Sequence, residues 1–149
     1  MSVIAGLSVS PVRRRVGLYF RTDPDSYITA EAAADFLRDL LRHIRGRVVV
    51  VWDNGANHKG PAVRALLRRT RRLHLEALPP YAPDLNPVEA VWSYVKHGRL
   101  PNFVPKSLAH LDDTVLEELS DAKVDSQLLR ALWHGSDLPF PLPSLPNGQ

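Results

Sequence analysis

Val48-Val49-Val50-Val51-Trp52-Asp53-Asn54 sets a carboxylate at the end of a continuous apolar run. A β-branched run of this kind is the pattern of a strand buried on both faces of a sheet. Where such a strand emerges, its rigid backbone fixes a side chain that the following loop leaves accessible, so strand ends collect functional groups. A carboxylate at that place can hold Mg²⁺, which favours oxygen ligands. Asp53-Asn54-Gly55 is equally an ordinary turn signal, and the residue by itself leaves both readings open.

Downstream, Leu78-Pro79-Pro80-Tyr81-Ala82-Pro83-Asp84-Leu85-Asn86-Pro87-Val88-Glu89-Ala90-Val91-Trp92 is a proline-punctuated loop running into a helix. Asn86-Pro87 opens the helix, and Val88, Val91, Trp92 and Val95 form its inward stripe. Glu89 falls at the border of that stripe, where it can look into the space above the sheet edge. Asn at a cap with Glu three residues on is also close to a capping box, which requires no chemistry.

Upstream, residues 3–9 and 16–20 read as strands joined by a turn at Ser10-Pro11 and Arg13-Arg14-Arg15. Thr29 can cap a helix whose apolar positions, Ala33, Phe36, Leu37, Leu40, Leu41 and Ile44, recur at three- and four-residue steps until Gly46 stops it. Pro61 suits the first turn of a second helix with Val63, Leu66 and Leu67 inside. Residues 73–78 form a further strand, and two helices follow over residues 107–119 and 125–133. The expected organisation is one domain, residues 1–134, and a tail over residues 135–149 with Pro139, Pro141, Pro143 and Pro146, extended or disordered.

The 149 residues suffice for one real core. A hydrophobic fraction of 44% with 23% charged residues is ordinary for a globular protein. No apolar run approaches the roughly 20 residues that span a bilayer, and Met1 is followed by no signal-peptide pattern. Cysteine is absent, which excludes disulfides and thiolate metal sites and suits a reducing cytoplasm. The net charge is only +3, yet Lys59, Arg64, Arg68, Arg69, Arg71 and Arg72 stand together with no acid among them. Such a patch is either the footprint of a polyanion partner or a solvated helix face.

Taken as a constellation, these blocks resemble the catalytic half of the DDE transposases of bacterial insertion sequences, in the mariner-related branch. Trp52-Asp53-Asn54, His58-Lys59, the Pro83-to-Glu89 block, Trp92-Ser93-Tyr94-Val95-Lys96 and the 35 residues between Asp53 and Glu89 carry the resemblance. It implies an α/β, ribonuclease H-like fold with C-terminal helices, read here from its second strand onward, the first central strand being absent. It implies a two-metal site for Mg²⁺ or Mn²⁺, with ions about 4 Å apart between three carboxylates. Asp53 would be the second carboxylate and Glu89 the third. Asn54 would support Asp53, and Asn86 would order the loop before Glu89. His58, Lys59, Arg64, Arg68, Arg69, Arg71, Arg72 and Lys96 would lie against DNA, although His58 could equally cap a backbone turn.

The first aspartate of such a site is not supplied from within. Asp23 and Asp25 follow a strand about 14 Å, or three strand spacings, from the Asp53 strand, and a ligand must approach Mg²⁺ to about 2.1 Å. Asp35 and Asp39 fall on a polar helix face. The expected partners are transposon-end and target DNA together with an upstream transposase segment or a full-length transposase, in a bacterial cytoplasm at the nucleoid. The chain alone is expected to be inactive. A non-catalytic DNA-binding or regulatory remnant and an unrelated metal-dependent phosphohydrolase built on Asp53 and His58 are the competing readings.

Overall fold

Val3, Ala5, Leu7 and Val9 recur at every second position, so the first segment is a strand with these four on one face. In the computed structural model, which describes residues 1–141 except Ser26, Arg99 and the side chain of Asn57, this strand is β1 (Ser2–Ser10). It is paired antiparallel with β2 (Arg15–Asp23), Leu7 standing opposite Leu18 and Val9 opposite Val16. The turn closes with the Arg14 N–H on the Ser10 carbonyl at 2.8 Å.

Thr29 caps α1 (Ala30–His43) by accepting the Ala32 N–H at 3.2 Å, as expected. The helix ends at His43, and Gly46, at φ +85°, turns the chain into β3 (Val48–Trp52). Pro61 begins α2 (Pro61–Arg69), which leads to β4 (Leu73–Ala77), parallel to β3 with Val50 opposite Leu75. Ala33, Ala34, Phe36, Leu37 and Leu40 of α1 and Val63 and Leu66 of α2 form one core, against which Val48, Val50 and Trp52 pack.

Three helices complete the element order: α3 (Val88–His97), α4 (Leu108–Val124) and α5 (Ser126–His134). Ser107 and Asp125 cap the last two by accepting backbone N–H groups. Helix α4 runs five residues past its expected end at Leu119 because both Leu119 and Ala122 are fully buried on one stripe. A second core gathers Val16 and Leu18 of the hairpin with Val91, Val95, Val115, Leu119, Leu129 and Trp133. The hairpin therefore lies between two apolar layers, with Ile4 and Tyr19 reaching the α1–α2 side. Leu138 and Phe140, within the expected tail, pack partly buried on this second core, while residues 142–149 lie outside the described residues.

Two sheet features bear on the site. Among the described residues the strands form two separate pairs, β1–β2 and β3–β4, and β1 is not hydrogen-bonded to β3. In addition, β3 is not buried on both faces as its composition suggested. Val49 and Val51 are 62% and 47% exposed, because α1 and α2 cover only the face that carries Val48, Val50 and Trp52. No described helix is long and apolar enough to cross a membrane.

Candidate active site

Asp53 leaves the end of β3 with its carboxylate more than half exposed. Its Oδ1 accepts the Gly55 N–H at 2.8 Å and is 3.0 Å from His58 Nε2. A 3-10 turn, Ala56–Lys59, folds His58 back over the strand end, where its ring stacks on Trp52 with centroids 4.1 Å apart and 19° between planes. Burial lowers the His58 pKa below the ordinary 6.5, and the facing Asp53 carboxylate opposes that shift without overcoming it. A neutral ring whose Nε2–H donates to Asp53 leaves Nδ1 as a bare acceptor, and Nδ1 is indeed buried without a partner among the described residues. The spacing of Asp53 and His58 across one turn could have signalled this contact. The His58 ring therefore faces Asp53 and does not cap a backbone turn.

Glu89 is placed by the loop that links β4 to α3. The Leu78 N–H donates to the Trp52 carbonyl at 2.7 Å, and Asn54 Nδ2 donates to the Leu78 carbonyl at 2.7 Å. Asn54 thus ties the ends of β3 and β4 together and does not itself bond Asp53. A second 3-10 turn, Pro83–Leu85, precedes Asn86, whose Oδ1 accepts the Val88 N–H at 3.2 Å and whose carbonyl accepts the Glu89 N–H at 3.0 Å. The Asn86 side chain orders the helix entrance, and Glu89 stands exposed in the first turn of α3.

Asp53 and Glu89 line one cleft of about 400 Å³, with Asn54, Asn86 and the loop of residues 78–83 as its other walls. Two solvent-open carboxylates are hard oxygen donors of the kind that Mg²⁺ or Mn²⁺ takes. Among the described residues no group of three or more His, Cys, Asp or Glu side chains could hold a metal ion. Asp35 and Asp39 are paired on the exposed face of α1 with Arg38 and Arg42.

The basic residues divide. Lys59, Arg64, Arg68, Arg69, Arg71 and Lys96 are exposed, although Arg64 also donates to the Lys59 carbonyl at 2.7 Å. Arg72 is turned inward. Its guanidinium donates to the carbonyls of Ile44 at 2.7 Å, Gly46 at 3.0 Å and Leu41, closing the C-terminal end of α1. These bonds commit the Arg72 guanidinium to the fold.

Compared with known families, residues 9–111, which include Asp53, the connecting loop and Glu89, match the DDE superfamily endonuclease family. The chain belongs to that family. Among solved structures, this DDE chain resembles the catalytic domain of Mos1 mariner transposase, with TM-score 0.63 and 19% identity over 89% of this chain and 74% of that one. The Mos1 catalytic domain with raltegravir and Mg gives TM-score 0.58 at 19% identity, with the same coverage of 89% and 74%. The Mos1 transposase paired-end complex with the left transposon end gives TM-score 0.62 and 23% identity over 80% of this chain. There the DDE chain spans 36% of the Mos1 chain. No curated protein matches the sequence. The expected α/β, ribonuclease H-like catalytic fold is therefore the observed one, shared with the Mos1 catalytic domain.

Proposed function

We propose that this chain supplies the larger part of a transposase catalytic centre for metal-dependent DNA strand cleavage and strand transfer. One observation carries the reading: Asp53 and Glu89, far apart in sequence, line the same cleft at the end of β3 and the start of α3. Asp53 and Glu89 would hold Mg²⁺ or Mn²⁺ with a further carboxylate. When bound, such ions activate an attacking hydroxyl and stabilise the leaving oxygen. Neutral His58 and the Gly55 N–H engage Oδ1 of Asp53 and so orient the carboxylate, leaving Oδ2 for the cleft. Lys59, Arg64, Arg68, Arg69, Arg71 and Lys96 would meet the phosphates of transposon-end and target DNA.

The missing carboxylate would come on a strand lying between β1 and β3, from an upstream segment of the polypeptide or from a full-length transposase. The separate pairing of β1–β2 and β3–β4 supports this. The described residues alone would then bind DNA without cutting it. A purely DNA-binding, regulatory role draws on the same lack of a three-ligand cluster.

The test joins an aspartate-bearing upstream transposase segment in frame and measures cleavage of a matching transposon end with Mg²⁺. Cleavage is expected in the joined protein and absent from the 149-residue chain. Asp53→Asn or Glu89→Gln should abolish it while DNA binding persists. A joined protein that folds and binds but never cuts would leave the regulatory role.

A further inference from the structure

Helices α1, α4 and α5 each begin at a residue whose side chain accepts a backbone N–H. Helix α3 does not. Its N-cap residue is Pro87, which offers no side-chain acceptor, and the Asn86 side chain holds only the Val88 N–H, at 3.2 Å. The first turn of a helix is rigid only as far as its unpaired N–H groups and the chain leading into them are held. That first turn carries Glu89. The placement of the carboxylate therefore depends on what fixes the 3-10 turn Pro83–Leu85 and Asn86 ahead of it.

The hold comes from the segment after α5, which lies outside the residues that match the DDE family. The Asp137 N–H donates to the Asp84 carbonyl at 2.7 Å. Gly135 ends α5 close against the first turn of α3, where a Cβ on it would stand 3.6 Å from the Ala90 Cβ. Ser136 turns the chain back, its Oγ donating to the Trp133 carbonyl at 2.8 Å. Leu138, whose backbone the following Pro139 restricts, and Phe140 then pack on the second core. Phe140 meets Trp133 edge-on with centroids 5.9 Å apart, and the Arg130 guanidinium lies 5.3 Å over its ring. Residues 135–140 thus form a strap, anchored at Phe140 and tied at Asp137 to the turn that precedes Glu89.

Resting on the metal reading of the cleft, we infer that this strap is a positioning element for Glu89, with Asp137 acting through its backbone N–H on the Asp84 carbonyl. The bond fixes the 3-10 turn. The Pro83 carbonyl in that turn accepts the Asn86 N–H, and the Asn86 carbonyl accepts the Glu89 N–H, so the tie sets where α3 starts. Mg²⁺ demands near-ideal placement of its oxygen ligands, and a loosened first turn loses metal affinity while the fold persists. The Asp137 side chain is exposed and takes no part.

The experiment uses the full chain and two readouts of its folded state, ¹⁵N relaxation of backbone amides and Mn²⁺ uptake followed by the free-ion EPR signal. Asp137→Pro removes the N–H, and Phe140→Ala removes the anchor without altering residue 137. In both, the order parameters of Asn86, Glu89 and Ala90 should fall from about 0.85 toward about 0.6. Leu119 and Ala122 in α4 should stay rigid. Mn²⁺ should bind about fivefold more weakly, the loss that one net hydrogen bond implies. Asp137→Ala keeps the N–H and should match wild type in both readouts, whereas Glu89→Gln should lower Mn²⁺ uptake directly. Unchanged order at the three amides in Asp137→Pro and Phe140→Ala would overturn the strap and leave the metal reading intact. Loosened amides with wild-type Mn²⁺ affinity, where Glu89→Gln still lowers it, would overturn the positioning role alone. Mn²⁺ uptake that is absent from the wild-type chain, or indifferent to Glu89→Gln, would overturn the metal reading and the inference together.

Discussion

Burial and the Asp53 carboxylate pull on the His58 imidazole in opposite senses. The carboxylate favours a protonated ring, but burial of His58 against Trp52 prevails and keeps its pKa below 6.5. In the unfolded chain the same imidazole takes up its proton near the ordinary value. Between the two, the unfolded state binds more protons, so stability rises with pH there. The contribution of His58 is therefore fully present above about pH 6.5 and is lost as pH falls through the lower, folded value. With divalent metal chelated, the urea midpoint of the chain should decline on acidification from pH 7, and His58→Gln should flatten the first part of that decline. An identical pH profile in His58→Gln would assign the decline to other groups. The same substitution removes one of the two groups that engage Oδ1 of Asp53, so its effect on chemistry belongs in the joined protein.

Among the elements, the junction of α1 and β4 shows how charge can mislead a reading of composition. Arg72 belongs to the basic run by sequence, yet its guanidinium satisfies carbonyls at the end of α1 that have no partner within the helix. Arg72→Ala should cost about 1–3 kcal/mol in chemical denaturation, since it leaves part-buried carbonyls unsatisfied. Arg68→Ala and Arg69→Ala, on the exposed end of α2, should stay within about 0.5 kcal/mol. A neutral Arg72→Ala would remove the capping role. The complementary measurement keeps Arg72 and replaces Arg68, Arg69 and Arg71 together. Every phosphate that these arginines neutralise contributes about 0.9 to the slope of log K against log salt, so the triple variant should show a shallower slope. An unchanged slope would make these three a solvated face. Local signals served well where the deciding atoms are local. Thr29, Pro61, Ser107 and Asp125 mark helix starts through bonds to their own neighbours or, for the proline, through its fixed backbone angle. They failed where the partner is remote: four valines cannot report that only one face of β3 meets a helix, nor Arg72 that α1 ends beside it. The cleft was legible through Asp53 and Glu89, whereas the His58 contact and the bond from Asp137 to Asp84 depend on how the loops close.

At the scale of the molecule, the two strand pairs are, among the described residues, joined through helices and not through a continuous sheet. Helix α1 packs on β2 of one pair and on the α2 layer beneath the other. Each pair consequently retains an edge, on β1 and on β3, whose backbone groups find no strand partner among the described residues. Such edges are templates for pairing with another chain, and amides on them open to solvent far more readily than those inside a ladder. If the proposed strand enters between β1 and β3, it satisfies both edges at once and brings its carboxylate to the Asp53 end of the sheet. Hydrogen exchange separates the alternatives. In the chain alone, amides of Ser2–Ser10 and Val48–Trp52 that do not point toward β2 or β4 should exchange quickly, while their ladder-facing neighbours are protected. Joining the upstream segment should slow the fast set in both strands together, because one inserted strand bonds both. Protection of those amides already in the chain alone would mean that the sheet closes some other way and would remove the place for the third carboxylate. Protection gained on one strand only would argue for an edge addition, which could stabilise the protein without completing its catalytic centre.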